Sequence, residues 1–254
     1  MRLSRVLKRG LYIILGMVVI GALGFGGLDV YFTNFFPISR KLSQAAALRI
    51  ETHHIHPLTF NQIPETFLRA IIATEDRHFY SEPGIDPEGI IRAAVVDIRA
   101  GAYVQGGSTI TQQLVDNTLL GKQKTLHRKI LQALYAIGIY DTVSKPDVLT
   151  LYTNLIYYGH GAYGLYNAAE TYFGKPPWKL NTNQLTLLAG LPNSPHLLNP
   201  DHSLRLAELR QRQVIDSMVD THVISNSKAS SILDEPLGLQ GQNTENPLHN
   251  MKSL

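Results

Sequence analysis

The run LYIILGMVVIGALGFGGL, residues 11–28, carries no charged side chain. A stretch of roughly 18 apolar residues is long enough for a helix to cross the hydrocarbon core of a membrane. Basic residues in front of such a span mark its cytoplasmic side. We therefore expect residues 1–10 to be a cytoplasmic basic tail, residues 11–30 a single transmembrane anchor, and the rest of the chain extracytoplasmic. The basic residues of this tail are Arg2, Arg5, Lys8 and Arg9.

The alternative for this segment is a secretory signal that is cleaved off, since signals also begin with basic residues and continue with an apolar core. Signal cores have about 7–15 residues, and a small-x-small cleavage site follows them. The present run is longer, and it is followed by no clear site of that kind. We favour the uncleaved anchor, and both alternatives place the later residues outside the cytoplasm.

The composition limits which functions suit the remaining chain. The formal net charge is +3, and four basic residues precede the apolar run, so the remainder is close to neutral. A nucleic-acid partner is therefore not expected. The chain has no cysteine, which excludes disulfides, thiol catalysis and thiolate metal sites.

Apolar residues after position 63 recur with the period of an α-helix, as at Phe67, Ile71 and Phe79. Runs rich in β-branched residues and bounded by turn pairs are absent from the sequence, which predicts a mainly α fold. Residues that begin helices are expected at Pro64, Asp86 with Pro87, Ser108, Ser144 with Pro146, Thr182 and Ser203, and helix-ending glycines at Gly101 and Gly174.

The domain boundaries follow from where this periodicity starts and stops. Residues 31–50 are expected to be a linker, residues 51–225 the globular domain, and residues 226–254 a loosely ordered tail. The sequence HHIHP, residues 53–57, has three potential metal ligands but no matching second set, so a solvated linker is favoured. Ser225 and Lys228 form the S-x-x-K pattern of penicillin-binding enzymes. Too few residues follow it for a transpeptidase domain, so no cross-linking activity is expected.

Glu75 falls on the same helix face as the apolar residues Leu68 and Ile72. A carboxylate in that position needs a partner or a function, because desolvation disfavours its charge. One interpretation is an ion pair with a nearby arginine such as Arg69 or Arg92. The other is a general base that works near neutral pH.

The segment GGSTITQQL, residues 106–114, suits an anion site. Two glycines let the backbone approach a ligand, and a helix beginning here would offer free N–H groups to a phosphate. The alternative is an ordinary capped helix after a turn. Nearby basic residues could neutralise a diphosphate or form a solvated helix face. They are Lys122, Lys124, Arg128 and Lys129.

Together these segments resemble family 51 peptidoglycan glycosyltransferases, which are monofunctional transglycosylases and the related domain of class A penicillin-binding proteins. The resemblance spans about residues 50–220 and implies a lysozyme-like fold with a small membrane-proximal jaw lobe. The motifs, in order, are EDRHFYSEPGID (75–86), GGSTITQQLVDN (106–117), RKILQALYAI (128–137), the block 145–154 with YYGHGAYGLYNAAETYFGK, and LAGLPNSPHLLNP (188–200).

The resemblance implies that lipid II is polymerised into glycan strands with inversion at the anomeric carbon and release of undecaprenyl diphosphate. It makes Glu75 the general base and Gln132 the second catalytic position. The implied partners are lipid II, the growing strand and the membrane, with other cell-wall synthesis proteins as candidates. No cofactor is required, although a divalent cation such as Mg²⁺ assists some members. The implied substrate-binding residues are Gly107, Ser108, Thr109, Gln112, Gln113, Asn117, Lys124, Arg128 and Lys129.

Five positions depart from the family pattern. Gln132 stands where the family has its second acid, and an amide neither carries charge nor transfers a proton as a carboxyl does. Glu82 replaces a histidine, Asp116 replaces a lysine, and Tyr140 and Thr150 stand where acids are usual. From the sequence, an amide at 132 leaves a neighbouring arginine uncompensated, and Glu82 offers a substitute acid.

Three functions remain open at this point. The first is an active polymerase, and the second is a lipid II-binding or scaffolding homologue in which the departures have removed catalysis. The third is a lysozyme-like hydrolase of finished glycan, which needs flanking carboxylates but neither a phosphate site nor an anchor. We rank them in this order.

Overall fold

The α-helices of the computed structural model pack around one hydrophobic core, and the expected mainly α class is confirmed. The structure describes Gly27 and residues 37–100, 106–121, 123 and 125–240. In chain order, the α-helices of these ranges are α1 (Ile38–Thr52), α2 (Glu65–Glu75), α3 (Pro87–Ala100), α4 (Ile110–Thr118), α5 (Leu126–Thr142), α6 (Lys145–Leu155), α7 (Leu165–Phe173), α8 (Thr182–Gly190), α9 (Pro200–Asp220) and α10 (Asn226–Leu233).

The expected cytoplasmic tail and transmembrane anchor, residues 1–30, lie outside the described residues except for Gly27, as do Lys122 and Lys124. Within the described ranges, no helix combines the length and the apolar character that a membrane span requires. The anchor, the jaw lobe and the lysozyme-like arrangement therefore stay predictions.

Two groups of helices determine where the site lies. Helices α2, α8 and α9 pack against one another, and α4 packs against both α5 and α6. Buried residues such as Ile71 on α2 and Val214 on α9 fill the first group, and Leu114 on α4 and Leu149 on α6 fill the second. The carboxyl end of α2, at Glu75, meets residues of both groups.

Several of the expected helix boundaries are confirmed. The Asp86 carboxylate accepts a hydrogen bond from the Gly89 N–H at the start of α3, at 2.9 Å. Ser144 caps α6, with Pro146 in its first turn. Gly174 ends α7 in a left-handed conformation, with φ of 61°. These positions follow from local chemistry, which explains why the sequence predicted them.

Two expected caps are displaced by one residue. Helix α4 is capped by Thr109 rather than Ser108, and α8 by Asn181 rather than Thr182. In both helices the third helical residue is a glutamine whose side chain bonds back to the cap, as Gln112 and Gln184 do. This reciprocal arrangement selects the cap three residues before the glutamine.

The expected linker at residues 31–50 differs from the structure. Residues 38–52 form α1, which buries Ile38, Leu42 and Ala46 on one face. These residues recur every fourth position, but exposed residues separate them, so the period was too sparse to recognise in the sequence. The HHIHP segment is only partly solvated, because Ile55 is buried and His53 stacks on Tyr163 with ring centroids 3.7 Å apart, while His54, His56 and Pro57 are exposed.

The expected loose tail at residues 226–254 is ordered as far as Gln240. Helix α10 occupies residues 226–233 and buries Ile232. Beyond it, the Gln184 side chain donates a hydrogen bond to the carbonyl of Leu237 at 2.7 Å, and Leu239 is buried. This segment packs against α8 through backbone acceptors. Contacts of that kind leave no periodic pattern in the sequence. Residues 241–254 lie outside the described residues.

Candidate active site

The Glu75 carboxylate, at the end of α2, is held by two hydrogen bonds from distant residues. Its Oε1 accepts a hydrogen bond from Arg210 Nη2 at 2.7 Å, and its Oε2 accepts one from Gln113 Nε2 at 2.8 Å. The side chain is only 8% exposed, yet it lines a cavity of about 220 Å³. A fixed carboxylate at the wall of a cavity can accept a proton from a bound hydroxyl.

The expected arginine partners of Glu75 lie elsewhere. Arg69 pairs with Glu65 one helical turn away, and Arg92 lies 3.9 Å from Asp86. The true partner, Arg210, is 135 residues further along the chain. Glu75 is therefore ion-paired, though with a different arginine than expected, and it still faces a cavity. Its role as a general base stays a prediction.

The orientation of the Gln113 amide is fixed by Tyr152. The Tyr152 hydroxyl donates a hydrogen bond to Gln113 Oε1 at 3.0 Å, which leaves the Nε2 group to face the Glu75 carboxylate. Burial raises the pKa of Tyr152 well above its ordinary value, so the hydroxyl stays protonated and remains a donor. The buried Tyr152 hydroxyl thus orients the Gln113 amide, and this amide in turn holds the Glu75 carboxylate.

Arg210 is held in place by its surroundings on α9. Its Nη1 donates to Gln213 Oε1 at 3.1 Å, and its side chain is 17% exposed. Gly190 on α8 provides the space, because a Cβ at that position would lie 3.0 Å from Arg210 Cγ. The cation is therefore packed between two helices rather than free to rotate.

The amino end of α4 was expected to offer free N–H groups to an anion, and the structure corrects this. The N–H of Ile110 donates to Asp76 Oδ2 at 3.0 Å, and the N–H of Gln112 donates to the Thr109 hydroxyl at 3.1 Å. Asp76 is 5% exposed, and desolvation raises its pKa to about 7. A carboxylate of the protein itself therefore occupies the position that a phosphate was expected to take.

The anion-binding potential lies instead on the cavity wall formed by residues 106–109. Gly107, Ser108 and Thr109 line the same cavity as Glu75. Lys129 Nζ donates to the Ser108 hydroxyl at 2.7 Å. Burial lowers the pKa of Lys129, while its position beside a hydroxyl brings a cation to the rim of the cavity. The structure thus joins two of the expected substrate-binding residues by a direct contact.

Gln132 lies beneath this rim and is fully buried, at 0% exposure. Its Nε2 donates to the Asp116 carboxylate and, at 3.2 Å, to the carbonyl of Gln112. Arg128 Nη2 lies 2.9 Å from the other Asp116 oxygen. Arg128 is therefore compensated by Asp116, which corrects the expectation that an amide at 132 leaves it uncompensated.

Two other expected substrate-binding residues, Gln112 and Asn117, do not line the cavity. Gln112 is 1% exposed, and its side chain bonds the N–H of Thr109. Asn117 donates to the carbonyl of Gln113 within its own helix at 2.8 Å. Lys124 lies outside the described residues. Gln112 and Asn117 have local roles in α4, and any substrate contact by Lys124 stays a prediction.

The departure at Glu82 also has a structural partner. Lys145 Nζ lies 3.2 Å from Glu82 Oε1 and donates to the Glu82 carbonyl at 2.8 Å. The same ammonium lies 5.0 Å from the ring centroid of Tyr140. Glu82 does not line the cavity, so its expected role as a substitute acid is not supported. Thr150 bonds only the carbonyl of Pro146 on its own helix.

Sequence reasoning missed three residues of the site. Asp76 stands beside Glu75 in the first motif, so an acid next to the proposed base was the available signal. Tyr152 and Arg210 offered no local signal, since their roles depend on packing between helices. Within the described part of the chain, no group of three histidine, cysteine, aspartate or glutamate side chains could hold a metal ion.

Most of the chain is similar in sequence to proteins of one family. The family profile described as Transglycosylase matches residues 42–219. A provisionally named transglycosylase from Cupriavidus necator is 35% identical over 227 residues, which cover 89% of this chain and 96% of that protein. Penicillin-binding protein 1A from Aquifex aeolicus is 44% identical over 186 residues, or 73% of this chain.

The chain spans only 26% of the Aquifex aeolicus protein. A crystal structure of penicillin-binding protein 1A from Haemophilus influenzae matches 73% of this chain and 18% of that chain, with 23% identity. Its TM-score of 0.42 is too low to support an argument from that fold.

Proposed function

The chain belongs to the transglycosylase family, and we propose that it is a peptidoglycan glycosyltransferase that polymerises lipid II into glycan strands. In the proposed reaction Glu75 removes the proton from the 4-hydroxyl of the acceptor sugar. The oxygen then forms a bond to the anomeric carbon of the donor strand, with inversion. The bond from that carbon to the diphosphate breaks, and undecaprenyl diphosphate leaves with the electron pair.

The observation that carries this proposal is the geometry of Glu75. Its two oxygens are fixed by Arg210 and Gln113 from different helices, and the carboxylate still lines the cavity. Each carboxylate oxygen has a second lone pair, so one of them remains able to accept the proton of a bound hydroxyl. A base held this firmly needs no reorganisation when the hydroxyl arrives.

The departing diphosphate requires positive charge, because negative charge develops on it as the sugar–oxygen bond breaks. Lys129 and Ser108 stand on the cavity rim, and Arg128 lies in the same helical turn as Lys129. We assign them to the diphosphate, together with Lys124 in the adjoining segment. Asp116 orients Arg128 through an ion pair, and a bound diphosphate would share the guanidinium with it.

A second candidate function is binding of lipid II without catalysis. It is favoured by one observation, the amide of Gln132 in place of the family's second acid. Because this amide is buried and bonded to Asp116, it has a structural reason to be there. Polymerisation is therefore the better supported of the two functions.

The proposal includes a membrane location, with residues 11–30 as the anchor and the catalytic residues outside the cytoplasm. The uncharged run from residue 11 to residue 28 supports it, and so does a substrate that is itself held in a bilayer. Protease added to intact spheroplasts should digest the catalytic part of the chain, and salt should not release the protein. Protection of the catalytic part would contradict this topology.

Polymerisation of lipid II by the purified full chain tests the function, with Glu75→Gln as the decisive variant. Loss of a positioned base should slow polymerisation by about 10²–10⁴-fold while circular dichroism and lipid II binding remain unchanged. Glu208→Gln, which changes an exposed carboxylate on α9, is the matched control. Polymerisation by Glu75→Gln at the wild-type rate would exclude Glu75 as the base, and binding without polymer from the wild-type chain would favour the second candidate.

A further inference from the structure

A groove runs along the outer face of α2, starting at the Glu75 cavity. It encloses about 690 Å³ and is lined by side chains of α2 and by the ends of neighbouring segments. Ala73, Arg77 and Thr221 line both the groove and the cavity, so the two adjoin. Helix α2 has 11 residues. At about 1.5 Å per residue the groove therefore follows roughly 16 Å of helix.

The groove continues at the amino end of α2 into a hollow of about 540 Å³. Asn61, Ile63 and Glu65 line both the groove and the hollow. The hollow also includes Trp178, whose side chain is 51% exposed. At the other end, beside the cavity, Tyr80 lines the groove and is 63% exposed. Large aromatic residues are thus exposed at both ends of one continuous path.

We propose that this groove and hollow bind a glycan strand, with Tyr80 and Trp178 as stacking platforms for its sugar rings. The proposal rests on the proposed function, since a polymerase must accommodate a strand longer than its reacting sugars. Sugar rings have apolar faces that pack on aromatic rings, and their hydroxyl and acetamido groups need polar neighbours. An extended ligand binds more tightly than a short one when such contacts are repeated along a path.

The charges of the groove favour a peptidoglycan strand over a lipid tail. Arg77 is exposed and forms no ion pair within the described residues, and Arg69 and Glu65 form a charged pair on the same wall. A lipid chain would offer Arg77 no acceptor and would remove water from the Arg69–Glu65 pair. A strand that carries carboxylates on its lactyl and peptide substituents would provide an acceptor for Arg77.

The chain itself provides the probe, because Trp178 is its single tryptophan. We would titrate the full-length Glu75→Gln chain, in non-ionic detergent, with N-acetylglucosamine hexasaccharide and disaccharide and follow tryptophan emission. A saturable change with the hexasaccharide, and a much weaker one with the disaccharide, is expected. Because no turnover is needed, this result does not depend on polymerisation activity.

Variants test the contacts of Trp178 and Arg77 separately, with binding measured by calorimetry. Trp178→Ala should weaken hexasaccharide binding by about three- to tenfold, the contribution of one aromatic face. Trp178→Phe should retain most of the affinity, and Leu48→Ala, an exposed residue of α1 outside the groove, should change nothing. Arg77→Gln should weaken binding of amidase-released, lactyl-bearing glycan strands but not of the neutral hexasaccharide.

Four results would overturn the proposal. They are the absence of hexasaccharide binding, affinity unchanged by Trp178→Ala, an emission change with phosphatidylglycerol vesicles but not with saccharide, and an emission change that depends only on protein concentration. The third would indicate a membrane contact and the fourth self-association. Polymerisation by the wild-type chain without hexasaccharide binding would refute the groove and leave the proposed function standing.

Discussion

The side-chain amide of Gln132 donates a hydrogen bond to the carboxylate of Asp116, so two positions that depart from the family pattern are direct partners. The pattern has an acid at the first position and a lysine at the second. This chain replaces a pair of opposite charges with an amide and a carboxylate. The carboxylate also lies 2.9 Å from Arg128, so the exchange keeps that cation compensated.

Because of this exchange, we predict that Gln132→Glu lowers both the stability of the protein and its polymerisation activity. If the amide simply impaired catalysis, restoring the acid would raise the rate. In the structure the new carboxylate would lie against Asp116 at a fully buried position, where two like charges repel. We expect a loss of about 3 kcal/mol in the free energy of unfolding at pH 8, a smaller loss at pH 5, and lower polymerisation.

The matched test is the double variant Asp116→Lys with Gln132→Glu, which recreates the opposite charges. It should be more stable than Gln132→Glu alone, and urea unfolding of the single and double variants measures the coupling between the two positions. Additive effects would show that the two side chains do not interact. A faster Gln132→Glu enzyme with unchanged stability would restore the interpretation drawn from the sequence.

Arg210 is predicted to position the catalytic base. Arg210→Gln keeps a donor near Glu75 but loses the charge and the packed guanidinium, so kcat should fall by about tenfold to a hundredfold. Arg210→Lys should recover part of this, because an ammonium restores the charge without the second hydrogen bond. Arg212→Gln, an exposed residue on the same helix, is the control. Wild-type kcat in Arg210→Gln would remove Arg210 from the site.

Asp76 predicts how stability depends on pH. Its pKa rises from 3.8 to about 7 on folding, so the native state binds the proton more tightly than the unfolded chain. The corresponding stability is fully present below about pH 4 and is lost as pH rises through 7, up to roughly 4 kcal/mol. Asp76→Asn retains an acceptor for the Ile110 N–H and should remove this dependence.

The measurement for Asp76 is the difference in unfolding free energy between Asp76→Asn and the wild-type chain at pH 4, 6 and 8. The unfolding free energy of Asp76→Asn should increase relative to that of the wild type as pH rises, because only the wild type must bury a carboxylate. Taking the difference removes the contributions of the other acids. A constant difference across this range would show that burial does not govern the titration of Asp76.

Glu82 is predicted to be structural. Glu82→Gln leaves the Lys145 ammonium, 17% exposed, without its carboxylate, and should lower the unfolding free energy by about 2 kcal/mol. Turnover per folded molecule should stay near the wild-type value, because Glu82 does not line the cavity. Glu51→Gln, on the exposed face of α1, is the control. A folded Glu82→Gln enzyme without activity would make Glu82 a catalytic acid after all.

Local chemistry explains which parts of the fold the sequence predicted. Caps, prolines and a left-handed glycine act within one turn of helix, so Ser144 and Gly174 were assigned correctly. Caps shifted by one residue, as at Thr109, because adjacent Ser and Thr are equivalent until the reciprocal glutamine is considered. Segments that dock by isolated contacts, such as α1 and α10, lack the dense period that sequence reasoning requires.

The candidate site was likewise predictable only where a local feature of the sequence marks a residue. Glu75 was identified because an acid on an apolar face is a local anomaly, and the resemblance gave its role. Its partners come from two other helices, and a pairing across 135 residues leaves no trace in spacing. The compensation between Asp116 and Gln132 was missed for a similar reason, since α4 and α5 meet only after folding.

The position of Arg210 in the middle of α9, far along the chain from Glu75, has a consequence for the order of events during synthesis. A ribosome delivers Glu75, Gln113 and Tyr152 before it delivers Arg210, so the carboxylate waits for its counter-charge while 134 intervening residues are made. Until α9 emerges and packs, the nascent chain holds an incomplete base. We therefore expect the activity proposed above to be strongly reduced until α9 packs against α2 and α8.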